Sequence, residues 1–330
     1  MYRKSIIIIL AVLQLAAFSS AEAAEIRAFH NINQLSFKQI FGLPSLDNSP
    51  LTEAGKWRIS GIVNISNTYD IAVAPKEQMV NDVETFRGSL IVSYGLRNNW
   101  QLSLEVPYIN HGGGFLDDFI YDWHDFLNLS QNNRTKDNSD QLHIAYFSDP
   151  GSFIEKPGSW RGLGDIRING TYTRPWGNRA LIFSTELKFP TGDYDKLTGS
   201  GGYDFSTGLT INDPQSLEIY RITLYGGLAG VFLGDIDGEL AAVQNNFALA
   251  GRIGIGWQAT KKIQLKLQLD GQSALYDSAL KQLGNPAFQL VIGGCLTFTD
   301  EVYLDISVAE DINTATAVDV ALQLALVITF

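Results

Sequence analysis

The 330-residue chain contains 31 Gly, 13 Tyr and 18 Phe, and its mean hydropathy of +0.01 is close to zero. That balance fits strands with one apolar and one polar face better than long apolar helices. The formal net charge of −11 argues against nucleic acid as a partner. The single cysteine, Cys295, excludes an intramolecular disulfide and is expected to pack inside a strand.

Residues 1–23 have the features of a secretory signal peptide. Arg3 and Lys4 precede a short apolar run, and the sequence Ala21-Glu22-Ala23 supplies the small residues of a cleavage site. The apolar run is too short to span a bilayer as a helix. We therefore expect the mature chain to be exported.

Residues 24–56 precede the first clear strand and contain an apolar cluster at Phe37, Ile40, Phe41 and Leu43. These side chains need cover from water. Two interpretations stay open: a periplasmic lead-in that packs beneath the following domain, or a short plug that enters it.

Residues 57–330 alternate apolar and polar side chains with a period of two, which predicts strands. The clearest case places Trp100, Leu102 and Leu104 opposite Gln101 and Ser103. About twelve such segments follow one another: 57–65, 87–96, 100–108, 166–173, 181–189, 203–210, 221–228, 247–258, 263–270, 288–298, 302–308 and 318–330.

The last segment, Val318 to Phe330, keeps its apolar face to the end and finishes on an aromatic residue. A strand of this length with a long apolar face fits a bilayer-spanning barrel strand. Short connections near 97–99 and 299–301 alternate with longer ones such as 70–83, which is the pattern of periplasmic turns and outer loops. The expected fold is all-β: a transmembrane, antiparallel, up-and-down β-barrel of about twelve strands with both termini in the periplasm.

Aromatic residues recur at the predicted periplasmic strand ends, where a lipid interface selects them. This membrane girdle comprises Trp57, Trp100, Trp257, Phe298 and Phe330.

One long outer loop, 110–160, interrupts the strands. Within it Phe115, Phe119, Trp123 and Phe126 recur at helical spacing, which predicts an amphipathic helix that acts as a gate. Its apolar face is expected to cover the barrel mouth, fold into it or lie on the lipid surface.

Two short stretches, 162–165 and 187–193, resemble segments of outer-membrane barrels that include aromatic-degradation transporters. The stretch 39–44, together with the insertion around 115–123, resembles the bacterial family named domain of unknown function 3187. The resemblance implies an outer-membrane location, with outer-membrane lipids and lipopolysaccharide as neighbours. It also implies that Phe330 is read by the barrel-assembly machinery. It brings no established activity.

Charged side chains alternate toward the predicted lumen, and both signs are interleaved. They either pair with one another or line a site for an unknown small solute, with a weak preference for anions because guanidinium suits carboxylate and phosphate. The solute-contact candidates are Arg58, Arg87, Arg167, Glu186, Lys188, Arg221, Arg252 and Lys266.

Three functions remain open at this point. The first is a channel or transporter for small solutes, and the second is a non-conducting structural or surface-binding barrel. The third is a lipid-modifying enzyme using His111 or His143, although neither lies in a recognisable nucleophile motif. We therefore expect no catalytic residues, and no histidine pair has metal-ligand spacing, so neither metal nor cofactor is expected.

Overall fold

The structure, a computed structural model, describes residues 25–97, 99–114, 142–149, 152–156, 158–312 and 315–330. In this part of the chain no helix is long and apolar enough to cross a membrane. Short helical turns occur at Tyr194–Lys196, Glu218–Tyr220, Glu239–Val243 and Lys281–Gly284. The strands are β1 (Trp57–Ala74), β2 (Glu77–Arg97), β3 (Trp100–Gly112), β4 (His143–Ser148), β5 (Ser152–Lys156), β6 (Trp160–Leu163), β7 (Ile166–Trp176), β8 (Arg179–Phe189), β9 (Asp204–Leu217), β10 (Ile222–Phe232), β11 (Phe247–Gln258), β12 (Ile263–Gln272), β13 (Ala287–Thr297), β14 (Val302–Asp311) and β15 (Val320–Thr329).

Twelve of these strands form a closed antiparallel ring. Each pairs with its neighbour in sequence, β3 pairs with β7, and β15 returns to pair with β1 in the register Arg58↔Thr329. The strands outside the ring extend its wall, because β4 and β5 add to β2 and β6 adds to β3. The prediction of a barrel of about twelve strands is confirmed.

The predicted strand faces are also confirmed. On β3, Trp100, Leu102 and Leu104 are exposed on the outer wall, whereas Gln101 and Glu105 are buried inside the ring. Because a one-residue slip would exchange the two faces, this agreement fixes the register of the strand. The outer wall is apolar and the inner wall is polar.

The two ends of the barrel differ in their connections. We call one the short-turn end; its connections are 98–99, 177–178, 218–221, 259–262 and 298–301. We call the other the long-loop end; among its connections are 190–203, 233–246, 273–286 and 312–319.

One loop prediction is wrong. The expected outer loop at 70–83 is a continuation of β1 and β2, which pair as far as Ala74↔Glu77 around the turn 75–76. The alternation is lost over residues 66–70 of β1 and 81–85 of β2, because these stretches are buried on both faces and include polar residues such as Asp70 and Asn81. Period-two alternation requires the two faces of a strand to have different environments, so it cannot detect such a stretch.

Residues 25–56, which we call the N-terminal segment, run inside the ring in a U shape. The backbone of Phe29 bonds the Gln268 side chain at both its N–H and its carbonyl. The tip reaches the long-loop end, where the Tyr276 hydroxyl donates to the Phe37 carbonyl. The segment then returns to the short-turn end, where the N–H and hydroxyl of Thr52 donate to Oε1 of Gln101 at 2.8 Å.

Candidate functional site

The candidate site is the lumen, where the inner-wall charges meet the N-terminal segment. Lys188 is 1% exposed, and its Nζ lies 2.6 Å from Asp165 and 3.2 Å from Asp204. It also donates to the carbonyl of Ile40 at 3.3 Å. One ammonium group therefore joins the barrel wall to the N-terminal segment near its tip.

The two stretches that resemble outer-membrane barrels meet at this lysine. Oδ1 of Asp165 accepts from the N–H of Gly192 at 2.8 Å, and the hydroxyl of Thr191 donates to the Gly164 carbonyl at 2.9 Å. The two stretches are separated in sequence, but hydrogen bonds join them beside Lys188. Their Gly and Asp residues are explained by backbone contacts.

The other predicted lumen cations form similar double contacts. Arg252 Nε lies 2.5 Å from Asp270, and its guanidinium also donates to the carbonyls of Ser45 and Asn31. Lys266 Nζ lies 2.6 Å from Asp305 and donates to the carbonyl of Arg27 at 2.9 Å. Each cation thus pairs with a carboxylate and holds a carbonyl of the N-terminal segment.

A further charge group lies at the middle of the lumen. Arg87 Nη2 lies 3.3 Å from Glu105, and Arg167 Nη1 lies 3.7 Å from Glu186. Arg167 also donates to the carbonyls of Leu43 and Phe41, at 2.9 and 3.1 Å. Buried pairs of this kind are costly to break but are weak evidence of net stability.

His30 belongs to the same group but was not predicted from the sequence. Its Nε2 lies 3.7 Å from Glu105, too far for a hydrogen bond. Burial lowers the pKa of His30, and the nearby Glu105 carboxylate opposes this shift without overcoming it. The imidazole is therefore neutral at pH 7.

Arg58 and Arg27 differ from these cations, because neither forms an ion pair with any residue that the structure describes. Arg58 is 8% exposed and donates to the Pro50 carbonyl at 2.8 Å. The Arg27 guanidinium lies 4.2 Å above the Tyr303 ring. Arg27 lies in the N-terminal segment, where strand alternation gives no signal.

The prediction for Arg221 is wrong in its placement. This residue lies in the turn before β10, with φ 59, and not on an inward strand face. The helical turn Glu218–Tyr220 shortens β10, so its first residue is Ile222.

A cavity of about 120 Å³ lies between the N-terminal segment and the wall on the short-turn side. Its lining includes Arg27, His30, Arg58, Arg167 and Glu186. Hydroxyl groups of the inner wall surround the rest of it, among them Ser60, Ser93, Ser103, Thr171 and Ser184.

The long-loop side of the lumen is filled by apolar side chains. Phe37, Ile40 and Phe41, at the tip of the N-terminal segment, are each at most 1% exposed. They belong to one buried cluster with residues of the loops, including Leu197, Leu233, Leu240, Leu275 and Leu283.

His111 and His143, which were considered for catalysis, contact a hydroxyl, an aromatic ring and a carboxylate of the protein. His111 is fully buried, its Nδ1 lies 2.9 Å from the Thr85 hydroxyl, and its ring lies 5.4 Å from that of Trp160. His143 lies on β4, where Nε2 is 3.9 Å from Glu155. Among the described residues no group of three or more His, Cys, Asp or Glu is placed to hold a metal ion.

The membrane-girdle candidates lie together at the short-turn end. Trp57, Trp100, Phe298 and Phe330 are exposed, and Trp257 is partly exposed. The backbone of Phe330 exchanges two 2.9 Å hydrogen bonds with Trp57, which closes the ring. The predicted gate helix with Phe115, Phe119, Trp123 and Phe126 lies outside the described residues.

A closed twelve-stranded ring with an apolar outside and a charged inside is the architecture of outer-membrane β-barrels. The chain belongs to the family described as "Protein of unknown function (DUF3187)", which matches residues 4–330. No curated protein matches the chain.

The chain is similar to solved structures of outer-membrane proteins, and the first of these, with a TM-score above 0.5, shares its fold. The COG4313 outer membrane channel from Pseudomonas putida F1 is 15% identical, with a TM-score of 0.52 over 88% of this chain and 98% of that chain. The NanC porin is 9% identical, with a TM-score of 0.44 over 83% and 98%. The translocator domain of the autotransporter NalP from Neisseria meningitidis is 11% identical, with a TM-score of 0.42 over 86% and 91%.

Proposed function

We propose that this protein is an outer-membrane channel for small solutes and that residues 25–56 are a plug that closes it. The observation that carries the proposal is the double role of Arg167, Lys188, Arg252 and Lys266, which pair with wall carboxylates and donate to carbonyls of the plug. Apart from its apolar tip, the plug fits the lumen through polar contacts, which water can replace when the plug leaves.

The orientation proposed is the usual one for this architecture. Short turns face the periplasm and long loops face the exterior, so both ends of the plug and the C-terminal residue Phe330 lie on the periplasmic side. The exposed aromatic residues at the short-turn end support a lipid interface there. Outer-membrane lipids and lipopolysaccharide contact the apolar wall, and the terminal Phe330 is presented to the barrel-assembly machinery.

The polar inner wall favours a channel over a barrel that is merely filled. A permanently closed interior would be more stable with apolar residues in place of buried ion pairs. This wall instead carries hydroxyl, amide and charged groups on many strands, for example Ser93, Gln101, Asn169 and Thr171. Such a surface can line an aqueous passage, as in porins.

The direct test is conductance in planar bilayers of the full mature chain and of a variant lacking residues 25–52. The deletion keeps the Trp57–Phe330 seam intact. We expect the full chain to be closed most of the time and the variant to conduct steadily. A synthetic peptide of residues 25–52 added to the variant should reduce its current.

The second candidate is a non-conducting barrel, and it is supported by the apolar cluster at the long-loop end. If both forms are silent while heat-modifiable gel mobility shows that both are folded, the channel proposal is wrong. Current from the full chain that equals that of the variant would show that residues 25–52 do not close the lumen.

A further inference from the structure

The cavity on the short-turn side is the one place in the described lumen where arginine side chains lack carboxylate partners. Of the arginines that line it, Arg252 is saturated by Asp270 and by carbonyls of the N-terminal segment. Arg27 and Arg58 form no ion pair with any described residue. These two guanidinium groups are therefore the ones at the cavity without a carboxylate at ion-pair distance among the described residues.

Four carboxylates line the cavity, those of Asp47, Glu105, Glu186 and Asp305. Asp305 binds Lys266 at 2.6 Å, and Oε1 of Glu105 accepts from the Ser89 hydroxyl at 2.8 Å. The Oδ1 of Asp47 accepts from the backbone N–H of Ser49 at 2.8 Å. Glu186 pairs with Arg167 at 3.7 Å. Neither these carboxylates nor the nearby Glu25 lies within ion-pair distance of Arg27 or Arg58.

Buried donors without partners provide a second, independent observation. Arg58 and Arg167 are 8% and 3% exposed, and the Nε atom of each lacks a hydrogen-bond partner. The Nε of Arg27 and the Nε2 of His30 are in the same condition. An unsatisfied buried donor destabilises the structure that contains it. Donors grouped around one cavity indicate an occupant that accepts hydrogen bonds.

The strand register gives the spacing of the two wall positions at which the arginines lie. Arg58 lies on β1, and Arg27 stacks on Tyr303 of β14, with β15 between these strands. Two interstrand steps amount to about 10 Å. The small residues Ala325 and Val327 of β15 lie between the two positions and leave the space open.

The size of the cavity limits the occupant. A volume of 120 Å³ holds on the order of eight waters by the measure of about 15 Å³ each, or a solute of a few non-hydrogen atoms. Guanidinium groups bind planar and tetrahedral oxyanions through paired hydrogen bonds.

We propose that Arg27 and Arg58 bind a compact oxyanion, a small carboxylate or phosphate, in this cavity. This proposal rests on the proposed channel function. It specifies the class of solute that the channel would receive from its short-turn side. Binding itself requires no conduction, because the site exists with the plug in place.

Titration calorimetry of the full mature chain in detergent tests the site, with sodium acetate and sodium phosphate as probes and sodium chloride as the baseline. We expect saturable binding of one oxyanion per chain, and the tighter of the two probes identifies the chemical source. Arg58→Gln and Arg27→Gln should each weaken binding at least tenfold. Arg97→Gln, an exposed arginine at the same end and outside the cavity, should leave it unchanged.

The absence of saturable binding above chloride would overturn the proposal, and so would equal affinity in both cavity variants and the wild type. Heat-modifiable gel mobility checks that each variant is folded. If Arg58→Gln fails to fold, Arg27→Gln still decides the question, because it lies on no strand. If oxyanions bind normally but neither form conducts, the channel proposal is wrong and the binding site stands. If the deletion variant conducts but the full chain binds no oxyanion, the channel proposal stands and the binding site is wrong.

Discussion

The two ends of the lumen are closed by different chemistry. At the long-loop end, Phe37, Ile40 and Phe41 pack against loop residues in a dry apolar cluster. At the short-turn end, hydroxyl and guanidinium groups surround an open cavity of about 120 Å³. Both regions are formed by the same N-terminal segment, which reaches from one end to the other.

The difference indicates where a permeating solute would meet the barrier. A polar cavity is readily hydrated, whereas hydrophobic constrictions close channels by excluding water. The apolar tip at the long-loop end is thus the gate of the proposed channel, and the polar cavity is its vestibule. The predictions below test this contrast between the two ends.

The largest expected effect comes from Lys188, which lies beside the tip of the N-terminal segment. Lys188→Met leaves Asp165 and Asp204 in the lumen without their cation, so the free energy of unfolding should fall by about 3–5 kcal/mol. Urea unfolding in micelles measures the change. Lys196→Met, at an exposed pair with Asp193, is the control and should change the free energy of unfolding far less, because solvent screens that pair. Equal losses in the two variants would show that the Lys188 cluster does not stabilise the lumen.

The next effect concerns the apolar tip. Phe41→Ala removes a ring that is 1% exposed and contacts Tyr276 at 5.6 Å between centroids, which should cost about 3 kcal/mol. Since the loss falls on the closed state, the channel should open more often in planar bilayers. Thr52→Ala removes contacts to Gln101 at the other end and should change opening far less. A larger effect of Thr52→Ala would place the gate at the short-turn end.

The strands and their faces could be predicted because every ring strand separates lipid-facing from lumen-facing side chains. Alternation such as Ile263, Leu265 and Leu267 against Gln264 and Lys266 is a direct record of that separation. The cations of the lumen followed from the same rule. A period-two pattern therefore predicts the strands of the barrel wall and most of the charged residues that face the lumen.

The path of the N-terminal segment could not be predicted from such patterns. It is extended and irregular, and it is held by backbone carbonyls such as those of Ile40, Phe41 and Ser45, which carry no sequence signal. Arg27 and His30 were missed for this reason. The apolar cluster at 37–43 did indicate a need for cover, but it could not say which surface provides it.

A third prediction ties the plug to the wall at the short-turn end. A Cβ added at Gly256 would lie 3.3 Å from the Cβ of Ile26, close to the separation found in disulfides. Ile26→Cys with Gly256→Cys, in a Cys295→Ala background, should stabilise the closed state by about 2–4 kcal/mol when oxidised. Openings should disappear under oxidant and return with reductant. Persistent openings in the oxidised protein would mean that the apolar tip, residues 37–41, moves while the segment around Ile26 stays attached to the wall.

The smallest expected effect is a pH dependence that acts at the tip through Lys38. Burial lowers the pKa of Lys38 to about 8 from 10.5, against the opposing carboxylates of Asp311 and Asp70, while its Nζ donates to the Thr316 carbonyl at 2.9 Å. In the released plug this lysine returns to its ordinary pKa, so between these two values the released state binds more protons. Raising the pH therefore favours insertion, by about 1 kcal/mol between about pH 7.5 and 9.

The bilayer measurement is the open probability across that pH range, which should fall as the pH rises. Lys38→Met has no ammonium group to desolvate, so its open probability should be lower at pH 7.5 and flat up to pH 9. An unchanged pH profile in Lys38→Met would assign the response to other groups and remove Lys38 from the gate.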